Sequence, residues 1–247
     1  MDLLSRHAKY KQRSYETSRD RHIPELRSHP DEPSVVLLGD SMIERMITTG
    51  LSSSFLPWPS AGMVSDDVIA QHNNNASAPV LRRLECVFNA GVGGDKIENL
   101  VYRLVGSTDV DRPIDSLLDL LRQRKVRVWV LHVGTNNLHP KRGLREKDLE
   151  LLRLIVGALL EAGGRVLLVG LFQRRDVGDG LVGEANEGYR RIVREFGSSV
   201  EFVEPAEVEM DRCLQDHVHL NEEGYRVWGE VLMKRVVAAV DDSRDDS

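Results

Sequence analysis

The chain has 247 residues, enough for one α/β domain with a sizeable core. Hydrophobic residues make up 41% and charged residues 29%, a globular composition that excludes disordered, fibrous and membrane-embedded classes. A formal net charge of −6 leaves no basic footprint for nucleic acid, and two cysteines, Cys86 and Cys213, do not make a disulfide framework.

The N-terminal stretch Met1-Asp2-Leu3-Leu4-Ser5-Arg6-His7 lacks the apolar run of a secretory signal, and no segment is long and apolar enough to span a bilayer. A cytoplasmic protein with reduced thiols is the expectation. Residues 1–34 read as a polar, basic leader, helical over part of 3–18 and then broken by Pro24, Pro30 and Pro33 into a lead-in loop.

Val35-Val36-Leu37-Leu38 then runs straight into Gly39. A short, wholly apolar run of this kind predicts a strand buried on both faces, as in a parallel sheet. Gly39 permits a tight turn into a helix beginning over Met42 to Met46, so Ser41 lies at the helix start. A hydroxyl there meets unpaired N–H groups and the positive end of the helix dipole, which suits a nucleophile; Asp40 or Ser41 could equally serve as a plain N-cap. Residues 49–80 form a long insertion rich in turn formers, with one short helical stretch expected around 65–72. Within it, Phe55 and Trp58 either line a substrate entrance or anchor the loop.

A second strand, Leu84 to Phe88, meets the glycine-rich turn Asn89-Ala90-Gly91-Val92-Gly93-Gly94-Asp95, and an amphipathic helix follows through Ile97, Leu100, Val101 and Leu104. The glycines lack full dinucleotide-binding spacing, and no phosphate-loop motif occurs anywhere. A helix over 113–123 leads to a third strand, Val126 to Val133, which ends in Gly134-Thr135-Asn136-Asn137. A helix over Leu149 to Leu160 follows, then strands Val166 to Val169 and Val200 to Val203 with a helix over 184–196 between them. Asn221 opens a last helix to about Val240, and residues 241–247 read as a disordered acidic tail.

Five strands alternating with helices predict a parallel sheet covered by helices on both faces, one domain over 35–240. In such a sheet the ligand crevice lies beyond the C-terminal strand ends. Three polar turns, at Ser41, Gly94 and Asn136, each follow a strand directly and so come to that one edge. Near the end lies Asp216-His217-Val218-His219-Leu220-Asn221. A serine needs a base, and an imidazole needs a carboxylate to fix its tautomer. Asp216 and His219, three apart on a tight turn, can make that bond; His217 is a rival candidate for the base, but beside Asp216 in sequence it would more naturally point elsewhere.

Together Gly39-Asp40-Ser41, the Gly94 turn, Gly134-Thr135-Asn136-Asn137 and Asp216-x-x-His219-Leu220-Asn221 resemble the blocks of the SGNH, or GDSL-type, hydrolase family, in order. The wording is nearest to the platelet-activating-factor acetylhydrolase-like branch, although His217 stands where these hydrolases usually carry a small residue. The resemblance covers about residues 34–240 and implies a three-layer α/β/α sandwich with a five-stranded, flavodoxin-like sheet. It implies Ser41 as nucleophile, His219 as general base and acid, and Asp216 as orienting carboxylate. The oxyanion hole would comprise the N–H groups of Ser41 and Gly94 and the side-chain amide of Asn136, with Asp40 and Asn137 supporting neighbouring turns. It implies no metal and no cofactor. The expected function is a serine esterase for small or medium acyl esters; a carbohydrate O-deacetylase and a non-catalytic interaction protein are the alternatives. A homodimer is compatible with the sequence.

Overall fold

The structure, a computed structural model, describes residues 2–29, 32–51, 63–69 and 82–245. Its centre is a sheet of β1 (Val35–Gly39), β2 (Met63–Ile69), β3 (Arg82–Gly91), β4 (Val128–His132), β5 (Arg165–Val169) and β6 (Val200–Val203), in the order β2-β3-β1-β4-β5-β6. The five strands from β3 to β6 run parallel, as the sequence predicts. Alternate residues of β1, β4 and β5 face opposite layers. Val36 and Leu38 join Trp129, Leu131, Val166 and Leu168 in one core, beneath α5 (Ile97–Val105), α6 (Leu117–Arg122), α7 (Glu146–Glu161) and α8 (Asp179–Phe196). Val35 and Leu37 join Val128, Val130, Leu167 and Val169 in the other, beneath α4 (Ser41–Glu44) and α10 (Glu222–Asp245), whose Trp228, Leu232 and Val236 are fully buried. The layers are helix, sheet, helix.

Strand order reverses at β1, which pairs with β3 on one side and β4 on the other. Connections therefore diverge there and leave a crevice at the C-terminal end of β1, where ligands of doubly wound sheets bind.

The sheet has one strand more than expected. Residues 63–69 are not helical: they pair antiparallel with β3, which at ten residues is longer than its apolar run and offers an edge. Val64, Val68 and Ile69 are β-branched, which favours extended backbone over the helix the local pattern suggested. The rest of the insertion over 52–62 and 70–80, including Phe55 and Trp58, lies outside the described residues. Pro24 does not break the leader into a loop; it sits in the first turn of α3 (Ile23–Ser28), directly after a π-helical turn, where its fixed φ of about −65° suits the helical backbone. The leader thus forms α1 (Asp2–Ser5), α2 (Gln12–Thr17), one π-helical turn over Ser18–His22, and α3. The C-terminal helix also runs past Val240 to Asp245, so 241–245 are not a disordered tail. An ion pair from Arg165 Nη1 to Asp242 Oδ2 at 2.8 Å ties that end to the rim of β5.

Candidate active site

β1 ends in the turn that carries Ser41. A side chain at Gly39 would overlap the carbonyl of His132 on the neighbouring strand, so only glycine lets β1 and β4 close here. Asp40 caps α4, its Oδ1 accepting the N–H of Met42 at 3.0 Å. Ser41 is the first residue of that helix. The turn is held from two sides, because Asn89 Nδ2 donates to the carbonyl of Ile43 at 2.8 Å and Tyr225 Oη to that of Met42 at 2.9 Å.

The turn between α9 (Met210–Cys213) and α10 carries the imidazole to the same place. Ser41 Oγ lies 2.9 Å from His219 Nε2, and His219 Nδ1 lies 2.7 Å from Asp216 Oδ2. The N–H groups of Val218 and His219 both donate to Asp216 Oδ1, each at 2.8 Å. Burial alone would push the Asp216 carboxyl up; the bonds from His219 and Val218 outweigh it and hold it well below the usual carboxylate range. An ionised Asp216 accepts the Nδ1 proton, which leaves Nε2 bare toward the Ser41 hydroxyl. His217 has no hydrogen bond to Ser41 or Asp216 among the described residues; its carbonyl accepts the Arg175 N–H at 3.0 Å.

The other two turns bring donors. Gly94 has φ +74°, a conformation that L side chains rarely adopt. Neither its N–H nor that of Ser41 has a partner among the described residues. Asn136 Nδ2 donates to the carbonyl of Asp95 at 2.9 Å, fixing the amide beside the Gly94 turn. Asn137 ties its turn to two helices, accepting the N–H of Ile97 on α5 at 2.9 Å and donating to Glu98 on α5 and Asp148 on α7.

Sequence reasoning missed what lies beneath these turns. Arg103, on α5, is fully buried and reaches Asp95 Oδ2 (2.8 Å), the carbonyl of Ala90 (2.7 Å) and that of Gly39 (3.1 Å). Asp95 also accepts Ser14 Oγ at 2.5 Å from the leader. A charged residue flanking the apolar stripe of α5 was the available signal for Arg103; nothing local marks Ser14. Among the described residues no cluster of His, Cys, Asp or Glu could hold a metal ion, and no helix is long and apolar enough to cross a membrane.

Asp40 yields a test of stability. Complete burial, with the Asp95 carboxylate nearby, pushes its carboxyl from 3.8 up to about 7, against the bond from Met42. Between those values the native state holds a proton that the unfolded chain has lost, so this group's contribution to stability falls as pH rises. Asp40→Asn keeps the acceptor for Met42 and removes the titration. From pH 5 to pH 8 the wild type is expected to lose about 2–3 kcal/mol more than the variant in urea unfolding, from the shift to about 7. Parallel curves for the two proteins would refute this.

The GDSL-like lipase/acylhydrolase family model matches residues 37–227, which include all four turns. No curated protein matches the sequence. Among solved structures, a Streptococcus pneumonia protein provisionally described as a platelet activating factor superposes with a TM-score of 0.58 at 15% identity, covering 95% of each chain. A GDSL-like lipase from Bacteroides thetaiotaomicron gives 0.58 at 13%, covering 91% of this chain and 99% of its own. A carbohydrate esterase family 3 protein from Talaromyces cellulolyticus gives 0.53 at 14%, covering 84% and 98%. At these identities the superpositions show a common fold. With its family match extending over most of its length, this chain belongs to the GDSL-like lipase/acylhydrolase family and is a carboxylic ester hydrolase.

Proposed function

We propose that the protein is a serine esterase acting on small or medium acyl esters through Ser41, His219 and Asp216. The observation that carries this reading is the unbroken relay of 2.9 and 2.7 Å from hydroxyl to imidazole to carboxylate. Ser41 Oγ attacks the acyl carbonyl while His219 Nε2 takes its proton. Asp216, ionised, holds the tautomer and steadies the imidazolium. The N–H groups of Ser41 and Gly94 and the Asn136 amide receive the developing oxyanion, each worth about 3 kcal/mol of barrier in typical acyl-transfer sites. The imidazolium then gives its proton to the departing alkoxide, leaving an acyl-enzyme. Water, deprotonated by the same imidazole, repeats the attack and releases the acid. A reduced compartment, the cytoplasm, fits the buried free thiol of Cys213.

A fluorophosphonate probe tests the nucleophile. The expected result is one phosphonyl group per chain, on Ser41, with hydrolysis of p-nitrophenyl acetate and butyrate lost in step. Label elsewhere, or a fully labelled protein that still turns over, would defeat the assignment. Wild-type protein with no activity above Ser41→Ala on any ester would favour a binding protein. Acetylated xylo-oligosaccharides cleaved far better than both p-nitrophenyl esters would move the substrate to sugar O-acetyl groups.

A further inference from the structure

We propose that Lys11, from the leader, is a positioning residue for the oxyanion site: its ammonium grips the Gly93–Gly94 peptide from behind and strengthens that peptide's N–H as a donor. The inference rests on the reading of Gly94 N–H as an oxyanion donor. Lys11 Nζ donates to the carbonyl of Gly93 at 3.0 Å. Every described peptide bond is trans, so the N–H of Gly94 points away from that carbonyl and from the ammonium. A cation on the oxygen draws electron density through the amide and makes the opposite N–H the stronger donor, the cooperative polarisation of linked hydrogen bonds.

Neighbouring acids take up only part of this charge. Asp95 Oδ1 lies 3.6 Å from Lys11 Nζ, but Asp95 is already paired with Arg103 at 2.8 Å. Glu44, the other acid at this turn, is paired with Arg13 at 2.8 Å. Lys11 and Arg103 thus share the single charge of Asp95, which leaves positive charge in excess behind the donor. A side chain at Gly94 would lie 2.8 Å from its Nζ, so glycine and lysine occupy one small space together.

The leader is built to hold Lys11 there. The N–H of Lys9 donates to the carbonyl of Glu98 at 2.9 Å, Asn99 Nδ2 donates to the carbonyl of Lys9 at 3.0 Å, and Ser14 bonds the buried Asp95. These contacts fasten both flanks of Lys11 to the loop and to α5.

Steady-state hydrolysis of p-nitrophenyl acetate by Lys11→Met, Lys11→Arg and Ser41→Ala tests the idea, with melting temperatures alongside. Lys11→Met is expected to lose about tenfold in kcat with KM within about twofold, a fraction of the 10²–10³ that removing a whole donor costs. Lys11→Arg should recover most of that loss, and fluorophosphonate labelling of Ser41 should slow in proportion to kcat. A Lys11→Met kcat within twofold of wild type would overturn the proposal. So would equal losses in the Met and Arg variants that track a fall in melting temperature, since a strap acting only on stability gives that pattern. Retained activity in Ser41→Ala would remove the triad reading itself, and Lys11's role with it.

Discussion

Replacing His219 with alanine is expected to lower kcat on p-nitrophenyl acetate by about 10⁴ to 10⁶-fold, the range in which serine hydrolases lose a base. In the proposed relay the 2.9 Å contact to Ser41 Oγ is the hydroxyl's route for its proton, and without it the serine would stay a neutral alcohol. Asp216→Asn should cost about 10⁴-fold for a different reason. The asparagine oxygen can still accept the N–H groups of Val218 and His219, which turns its NH₂ toward Nδ1. Nδ1 must then accept, the ring proton moves to Nε2, and the face toward Ser41 becomes a donor. Geometry survives while the proton is in the wrong place. Because the three groups act as a unit, the double variant should be no slower than His219→Ala alone, within about threefold. Multiplicative losses, or an Asp216→Asn enzyme near wild-type rate, would sink the relay.

The parts of this site that were legible in the sequence are those whose chemistry is local. Gly39, Asp40 and Ser41 announce themselves because the apolar run of β1, buried on both faces, breaks abruptly into a polar turn. Asn136 after β4 and Gly94 after β3 stand out in the same way, as polar or glycine-rich turns that follow mainly apolar strands. Asp216 and His219 are three apart, so one turn suffices to join them. What could not be read is what depends on partners far along the chain. Ser14 and Lys11 meet the Gly93–Asp95 turn across about eighty residues, and their own neighbours look like an ordinary polar leader. β2 was hidden for another reason: an edge strand is specified by its partner's free groups as much as by its own pattern, and 63–69 carries two aspartates and a serine among its apolar residues. The end of α10 likewise looked like a solvated run of charge until Arg165 supplied the partner for Asp242.

Arg103 is the long-range partner expected to bear on both stability and catalysis. Arg103→Met should destabilise the protein by about 3–5 kcal/mol, since it leaves the fully buried Asp95 without its principal counter-charge. In a chain of this size that corresponds to a fall in melting temperature of about 6–20 °C. Lys11 at 3.6 Å and the Ser14 hydroxyl limit the loss but cannot replace a guanidinium that also satisfies the carbonyls of Ala90 and Gly39. Those two carbonyls end β3 and β1, so the same group that neutralises Asp95 sets the spacing of the Gly94 and Ser41 turns. Activity measured well below the melting point should therefore fall as well, in kcat rather than KM. The origin of the penalty can be isolated by adding Asp95→Asn to Arg103→Met. If the uncompensated charge is what destabilises, the double variant regains more than half of the lost stability, because a neutral amide can still accept from Ser14. If instead the loss is one of packing around the guanidinium, Asp95→Asn adds its own penalty and the double variant is the weaker protein. A single Arg103→Met variant that melts within about 2 °C of wild type and keeps its kcat would show that the buried pair carries neither role.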